Sequence, residues 1–157
     1  LAEARPTSDS PARHAPARLS THRNGALIRD KAQVAAASDL GTHEIVDARA
    51  APRFRGEAPE PRAGLRSGHM PGAKNLPFDR LYAEDGTLRP TDALRAAFQA
   101  AFVDLSRPVV TTCGSGVTAA SLSLALEVLG LPDHALYDGS WTEWGASPEM
   151  KIATGDA

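Results

Sequence analysis

The chain has a single cysteine, Cys113, in the glycine-containing run Cys113-Gly114-Ser115-Gly116-Val117-Thr118. The β-branched stretch Pro108–Thr112 precedes this run, and the apolar stretch Ala119–Leu129 follows it. Backbone N–H groups of a tight loop before a helix stabilise an anion at the end of the strand. A cysteine there is a nucleophilic thiolate. A lone cysteine is often only a small core residue, but the glycines at 114 and 116 favour the reactive thiol.

Five arginines lie between Asp47 and Gly72, in a segment so rich in proline and glycine that it is predicted to be loop. A loop of this length in a compact domain is commonly functional or disordered, and its positive charge indicates an anionic ligand. The alternative is that the arginines are solvated or paired with Glu57 and Glu60. The five are Arg49, Arg53, Arg55, Arg62 and Arg66.

The elements that must position these residues alternate between strand and helix. The predicted strands are Ala26–Ile28, Glu44–Ala48, Lys74–Leu76, Pro108–Thr112 and Ala135–Tyr137. The predicted helices are one capped by Asp30 that runs through Val34 to Ala37, one capped by Thr91-Asp92, one over Ala119–Leu129 closed by Gly130, and one started by Asp138-Gly139-Ser140. Such alternation predicts a parallel α/β sheet, and Cys113 would lie at its ligand-binding carboxyl edge.

Composition narrows the class of protein. The net charge of -2 favours neither a nucleic acid nor an anionic membrane as partner, and no apolar stretch approaches the length of a membrane helix. One cysteine excludes an internal disulfide, and His14, His22, His43 and His134 have no metal-ligand spacing, so neither a metal nor another cofactor is expected. A reducing, cytoplasmic location fits a free thiol.

A chain of 157 residues is expected to form one domain. Residues 1–24 are rich in Pro, Ala, Ser and Arg without apolar periodicity, which is typical of a linker. We therefore expect residues 25–157 to form the domain and the chain to be a piece of a longer protein.

The run from Cys113 to Thr118 resembles the active-site loop of 3-mercaptopyruvate sulfurtransferases, a branch of the rhodanese family. The resemblance extends over about residues 25–147 and includes Asp47-Ala48-Arg49, Arg53-Phe54-Arg55-Gly56, Pro59-Glu60-Pro61-Arg62, Gly68-His69-Met70-Pro71-Gly72-Ala73 and Tyr137-Asp138-Gly139-Ser140-Trp141. It implies a parallel five-stranded sheet flanked by helices. It also implies that Cys113 takes up sulfur as a persulfide and passes it to cyanide or to a thiol such as that of thioredoxin.

The resemblance also assigns residues to substrate binding. Arg53 and Arg62 match the arginines that bind the carboxylate and the ketone oxygen of mercaptopyruvate, and guanidinium forks suit such groups. Residues Gly114 to Thr118 are expected to contact the donor: Gly114, Ser115, Gly116, Val117 and Thr118. Ser115 is further expected to act in catalysis with a histidine and an aspartate of a preceding rhodanese-like domain, which residues 1–24 would join to this one.

The remaining singled-out residues are expected to be structural. Arg49 should pair with Asp47, and His69 should hydrogen-bond to backbone rather than act as a base. Arg55 and Arg66 have no support beyond their charge and are left out of the site. Trp141 and Trp144 are expected in the core or in a cleft wall.

Within the family, thiosulfate-using members usually have basic residues at the two positions after the cysteine. This chain has Gly114 and Ser115 there, which favours 3-mercaptopyruvate as the donor. The alternatives are a thiosulfate sulfurtransferase and a non-catalytic rhodanese interaction module. A cysteine phosphatase is disfavoured, because its loop needs one more residue and an arginine after the cysteine.

Overall fold

The computed structural model describes residues 9–10, 15–22 and 24–156. The strands are β1 (Ile28–Arg29), β2 (Glu44–Asp47), β3 (Lys74–Asn75), β4 (Val109–Thr112) and β5 (His134–Tyr137). The helices are α1 (Lys31–Leu40), α2 (Ala51–Phe54), α3 (Thr91–Ala100), α4 (Ala119–Val128) and α5 (Ser140–Trp144). The predicted five-stranded parallel sheet flanked by helices is confirmed.

All strand pairs are parallel, and the strand order is β1-β5-β4-β2-β3. The middle strand is therefore β4, and its four residues are all buried. Parallel strands with both faces covered are expected to be apolar or β-branched throughout, as Val109–Thr112 is. Because Cys113 directly follows β4, the chain places its thiol at the carboxyl edge of the sheet, beside the centre of the molecule.

The core has two parts, one on each face of the sheet. Val109 packs on the face covered by α3 and α4, whereas Val110 packs on the face covered by α1, α2 and α5. This division follows from the alternation of side chains along a strand. Trp141 and Trp144 of α5 are buried in the second part, so of the two predicted placements, core or cleft wall, the structure has the core.

Several boundaries differ from the prediction. Gly25–Leu27 forms a 3-10 turn, capped by the Asn24 side chain, so only Ile28 of the expected first strand pairs with the sheet. The arginine-rich segment is not all loop, because α2 forms at its start with Pro52 in the first turn, where a missing N–H costs no hydrogen bond.

The helix ends were predicted with mixed success. Asp30 caps α1 as expected, and its carboxylate accepts from the N–H of Gln33, which completes a capping box. The predicted cap position at Thr91-Asp92 is wrong: Pro90 occupies the cap position of α3, and Asp92 lies in the first turn, where its Oδ1 accepts from the N–H of Ala93 at 2.9 Å.

Residues 15–22 are exposed and form neither helix nor strand. The rest of the predicted linker is partly outside the described residues, so its role stays a prediction. Among the described residues no helix has both the length and the apolar character needed to cross a membrane.

Candidate active site

Cys113 is held from two sides at the end of β4. Its N–H donates to Ser140 Oγ at 3.1 Å, and its carbonyl accepts from the N–H of Trp141 at 2.9 Å. The residue is only 2% exposed, so its sulfur meets solvent through one cavity. The start of α5 therefore sets the backbone position of the thiol.

Ser140 contacts the Cys113 backbone, and sequence reasoning did not include it in the site. It is fully buried, and its φ of 49° is in the left-handed region that side chains rarely adopt. Its hydroxyl donates to the Tyr137 carbonyl at 2.8 Å and accepts from Cys113 and from Thr112. The sequence predicted it only as the start of a helix, because its unusual backbone angle leaves no mark in local composition.

The loop after Cys113 needs its glycines. Gly116 has a φ of 82°, and a Cβ atom there would lie 2.9 Å from Asp138 Oδ1. A Cβ atom at Gly114 would lie 3.1 Å from Arg53 Nη2. Within the described chain, the N–H groups of residues 114–118 have no hydrogen-bond acceptor, which leaves them available to an anion beside the sulfur.

The thiol opens into a cavity of about 230 Å³, called here the Cys113 cavity. Ligand pockets for drug-sized molecules span about 300–1,000 Å³, so this one suits a smaller ligand. It is lined by Arg53, Glu60, Pro61, Arg62, Leu65, Cys113, Gly114, Ser115, Val117, Thr118 and Thr142. The structure thus brings together every predicted site residue except Gly116, which is buried against Asp138 and shapes the loop from behind.

Arg53 both lines the cavity and pairs with an acidic residue, so the two interpretations of the arginines are each partly right. Its Nη2 lies 2.5 Å from Glu60 Oε2, and its side chain is 27% exposed. The side chain of Glu60 is 2% exposed and also accepts from Arg49 Nη1 at 2.8 Å. The sequence presented Glu60 only as a surface partner, and its burial between two guanidinium groups depends on the folding of the whole loop.

Arg62 is exposed and reaches the same cavity from the other side. Its Nη1 donates to Thr142 Oγ1 at 2.9 Å, and that hydroxyl donates to the carbonyl of Gly114 at 2.6 Å. The N–H of Thr142 donates to the same carbonyl at 2.9 Å. Thr142 was not predicted as a site residue, because nothing in its sequence neighbourhood distinguishes it from an ordinary helical position.

The other arginines of the segment do not line the cavity, and Arg49 pairs with Asp47 as predicted. Arg49 is buried, forms a two-pronged ion pair with Asp47, and lies 4.3 Å from the centre of the Trp141 ring. Arg66 donates to four backbone carbonyls between Trp144 and Met150. Arg55 pairs with Glu57 outside the cavity.

His69 is also structural. Its Nδ1 donates to the Phe54 carbonyl at 2.9 Å, and its ring stacks on the ring of Phe54 at 3.8 Å between centroids. Burial is the main cause that lowers the pKa of His69, so the imidazole is held neutral. These contacts agree with the prediction of a backbone hydrogen bond.

Ser115 lines the cavity but is exposed, and it has no hydrogen-bond partner within the described residues. The histidine and aspartate with which it was expected to act would come from another domain, so its catalytic role stays a prediction. Among the described residues, no three His, Cys, Asp or Glu side chains lie close enough together to hold a metal ion; His14 falls outside those residues.

Comparison with known proteins places this geometry in a family. A 3-mercaptopyruvate sulfurtransferase of Homo sapiens is 40% identical over 152 residues, which cover 96% of this chain and 51% of that protein. A thiosulfate sulfurtransferase of Rattus norvegicus is 42% identical over 158 residues, which cover 99% of this chain and 53% of that protein. The chain therefore spans about half the length of these two relatives.

A solved structure agrees with these relatives. The crystal structure of SseA from Escherichia coli, described as a 3-mercaptopyruvate sulfotransferase, superposes with a TM-score of 0.68 at 42% identity, covering 79% of this chain and 45% of that one. Residues 30–147 match the sequence profile of the rhodanese-like domain. This match includes the loop at Cys113, both cavity arginines and the start of α5, and the chain belongs to the family of rhodanese-like domains.

Proposed function

We propose that this chain is a sulfurtransferase that moves sulfur from 3-mercaptopyruvate to a thiol or to cyanide through a Cys113 persulfide and releases pyruvate. The observation that carries the proposal is that Cys113, Arg53 and Arg62 line one small cavity. A nucleophile and two fixed cations in one cavity are the parts that a carboxylate-bearing sulfur donor needs.

The proposed reaction assigns a task to each part. The Cys113 thiolate attacks the donor sulfur, a sulfur–sulfur bond forms, and the carbon–sulfur bond breaks. Its electron pair stays on the carbon and gives the enolate of pyruvate, which takes a proton from water. Arg53 and Arg62 hold the carboxylate and stabilise the charge that develops on the ketone oxygen. The free N–H groups of the loop stabilise the anionic sulfur.

Mercaptopyruvate is favoured as the donor by the loop itself. Gly114 and Ser115 contribute no cation beside the sulfur, whereas Arg62 offers a guanidinium where a carboxylate could bind. Thiosulfate is the second candidate, because a cavity with two arginines can also bind a sulfonate, and relatives of similar identity bear both names. A non-catalytic interaction module is less well supported, since the thiol opens into this cavity.

The full protein is proposed to contain a preceding rhodanese-like domain. Apolar side chains are exposed at the cavity and further along α4: Val117, which lines the cavity, is 76% exposed, Leu124 51% and Val128 46%. The relatives are about twice as long as this chain, so a further domain of such a protein could cover this surface. We expect the chain with that domain co-expressed to bind donor more tightly than the chain alone. Equal kinetic constants without detectable association would refute this arrangement.

The persulfide is proposed to pass its outer sulfur to a thiol such as that of thioredoxin, and a reducing, cytoplasmic location would keep both thiols free. The test of the central proposal is the intact mass of the protein after incubation with 3-mercaptopyruvate. The chain should gain one sulfur atom and release one pyruvate, and Cys113→Ser should do neither while it unfolds at an unchanged temperature. An equal mass gain in the serine variant would contradict the mechanism.

A further inference from the structure

The geometry points to Glu60 as a specificity-determining residue: its buried negative charge sets the net charge of the Cys113 cavity and selects donors with one negative charge over donors with two. This inference rests on the proposed function and adds the charge of the substrate to it. Glu60 would exert this selection through the field at the cavity, without touching the reacting atoms.

Glu60 is held between two cations. Its carboxylate is 2% exposed and lies between Arg49 Nη1 at 2.8 Å and Arg53 Nη2 at 2.5 Å. Both contacts are charge-assisted hydrogen bonds, which are shorter and stronger than neutral ones. Arg49 also pairs with the buried Asp47, so the positive charge behind Glu60 is already balanced. The negative charge of Glu60 is consequently directed against Arg53 and the cavity.

The charged residues that line the cavity are two cations and one anion, Arg53, Arg62 and Glu60, apart from the Cys113 thiolate itself. Their net charge is one positive unit. The reacting Cys113 thiolate brings this sum to zero, so 3-mercaptopyruvate, with one negative charge, leaves one in excess, whereas thiosulfate leaves two. A low-dielectric site amplifies the cost of an unbalanced charge.

The contacts of Arg53 lead to the same conclusion. Its Nε and Nη2 atoms face Glu60, while Nη1 has no hydrogen-bond partner among the described residues. Glu60 thus occupies one edge of the guanidinium and leaves the other for the donor. A dianionic donor would bind most strongly if it could accept hydrogen bonds from both edges of the Arg53 guanidinium, and it therefore has to compete with Glu60 for one edge.

Two donors that react in the same way but differ in charge show the effect of charge alone. With thiosulfate, the Cys113 thiolate attacks the outer sulfur, the sulfur–sulfur bond of the donor breaks, and its electron pair leaves with sulfite. Methanethiosulfonate reacts in the same way and releases methanesulfinate, but it carries one negative charge. The ratio of kcat/KM for methanethiosulfonate to that for thiosulfate therefore measures the preference for a single charge.

Variants that change the charge of the cavity in opposite directions test the inference. Glu60→Gln should lower this ratio by about tenfold or more, because the cavity gains one positive unit. Arg62→Gln should raise it by a similar factor. Glu60→Asp keeps the charge and should leave the ratio near that of the wild type even where both rates fall. Arg55→Gln and Glu57→Gln change charge outside the cavity and should leave the ratio unchanged.

The outcomes distinguish a failure of the proposed function from a failure of the role assigned to Glu60. If no donor transfers sulfur to the wild-type chain, the proposed function fails. If the wild type takes sulfur from 3-mercaptopyruvate but the ratio stays constant in a folded Glu60→Gln, only the role of Glu60 is overturned. If Glu60→Gln does not fold, the exposed Arg62→Gln still decides, since an unchanged ratio there overturns the inference.

Discussion

Arg62 and Thr142, which are far apart in the sequence, are joined by a 2.9 Å hydrogen bond at the mouth of the Cys113 cavity. The Thr142 hydroxyl donates to the carbonyl of Gly114 at 2.6 Å, so one side chain links an exposed cation to the loop that follows Cys113. The link holds a long, exposed guanidinium in a single orientation, which reduces the entropy lost when a donor binds.

Replacing Thr142 with valine should therefore weaken donor binding. Valine keeps the shape but removes the hydroxyl, and a hydrogen bond of this kind contributes about 1 kcal/mol, or about fivefold in affinity. We expect KM for 3-mercaptopyruvate to rise by about that factor while kcat changes little. Thr142→Ser restores the hydroxyl and should restore KM. A fall in kcat alone would show that Thr142 acts on the loop rather than on Arg62.

Two variants of Ser140 distinguish the strain of its left-handed backbone from the role of its hydroxyl in positioning Cys113. Ser140→Ala removes the acceptor of the Cys113 N–H and should lower the free energy of unfolding by about 1–3 kcal/mol. Ser140→Gly removes the same hydroxyl but relieves the backbone, which should recover about 1 kcal/mol. Both variants should alkylate more slowly at Cys113 with iodoacetamide. Urea unfolding and alkylation rates provide the two measurements, and wild-type alkylation in Ser140→Gly would assign Ser140 to stability alone.

Adding a cation at Ser115 should shift the donor preference toward thiosulfate. Ser115 is exposed and lines the cavity, so a lysine there fits and attracts the second negative charge. Gly114 is a poorer place for the same change, because a side chain would start 3.1 Å from the Arg53 guanidinium. We expect Ser115→Lys to raise kcat/KM for thiosulfate relative to 3-mercaptopyruvate by about tenfold. Ala96→Lys, on the exposed side of α3, is the control of equal charge.

Stability should fall as the pH falls through the range in which His69 titrates. Burial lowers the pKa of this imidazole in the folded chain, so the unfolded chain binds the proton more readily. The resulting loss begins near the ordinary histidine pKa of about 6.5 and grows as the pH decreases toward the lowered value. Urea unfolding midpoints measured at several pH values between about 7.5 and 5.5 report this loss of stability, because histidine side chains titrate in about this range. In His69→Gln this part of the pH dependence should disappear; an unchanged slope would assign it to other groups.

Much of the fold could be predicted because its signals are local. The β-branched run before Cys113 and the apolar run after Gly116 identify a strand and a helix on their own, and the structure forms both. The errors fall where short elements depend on neighbours: β1 is two residues long and exists through its pairing with β5, and α2 forms inside a segment with many helix breakers.

The sequence by itself determined that one thiol would stand in a glycine loop after a strand and that arginines would be near, because a single chemical group and its neighbours along the chain are enough for that inference. Only the tertiary structure decided which charges meet at that thiol. It buried the Glu60 side chain between Arg49 and Arg53. It also brought the Ser140 hydroxyl to the N–H of Cys113 and linked Arg62 to Gly114 through Thr142. Those contacts join residues distant in sequence, and their energies arise from distance and desolvation, which exist only after the loops have packed together.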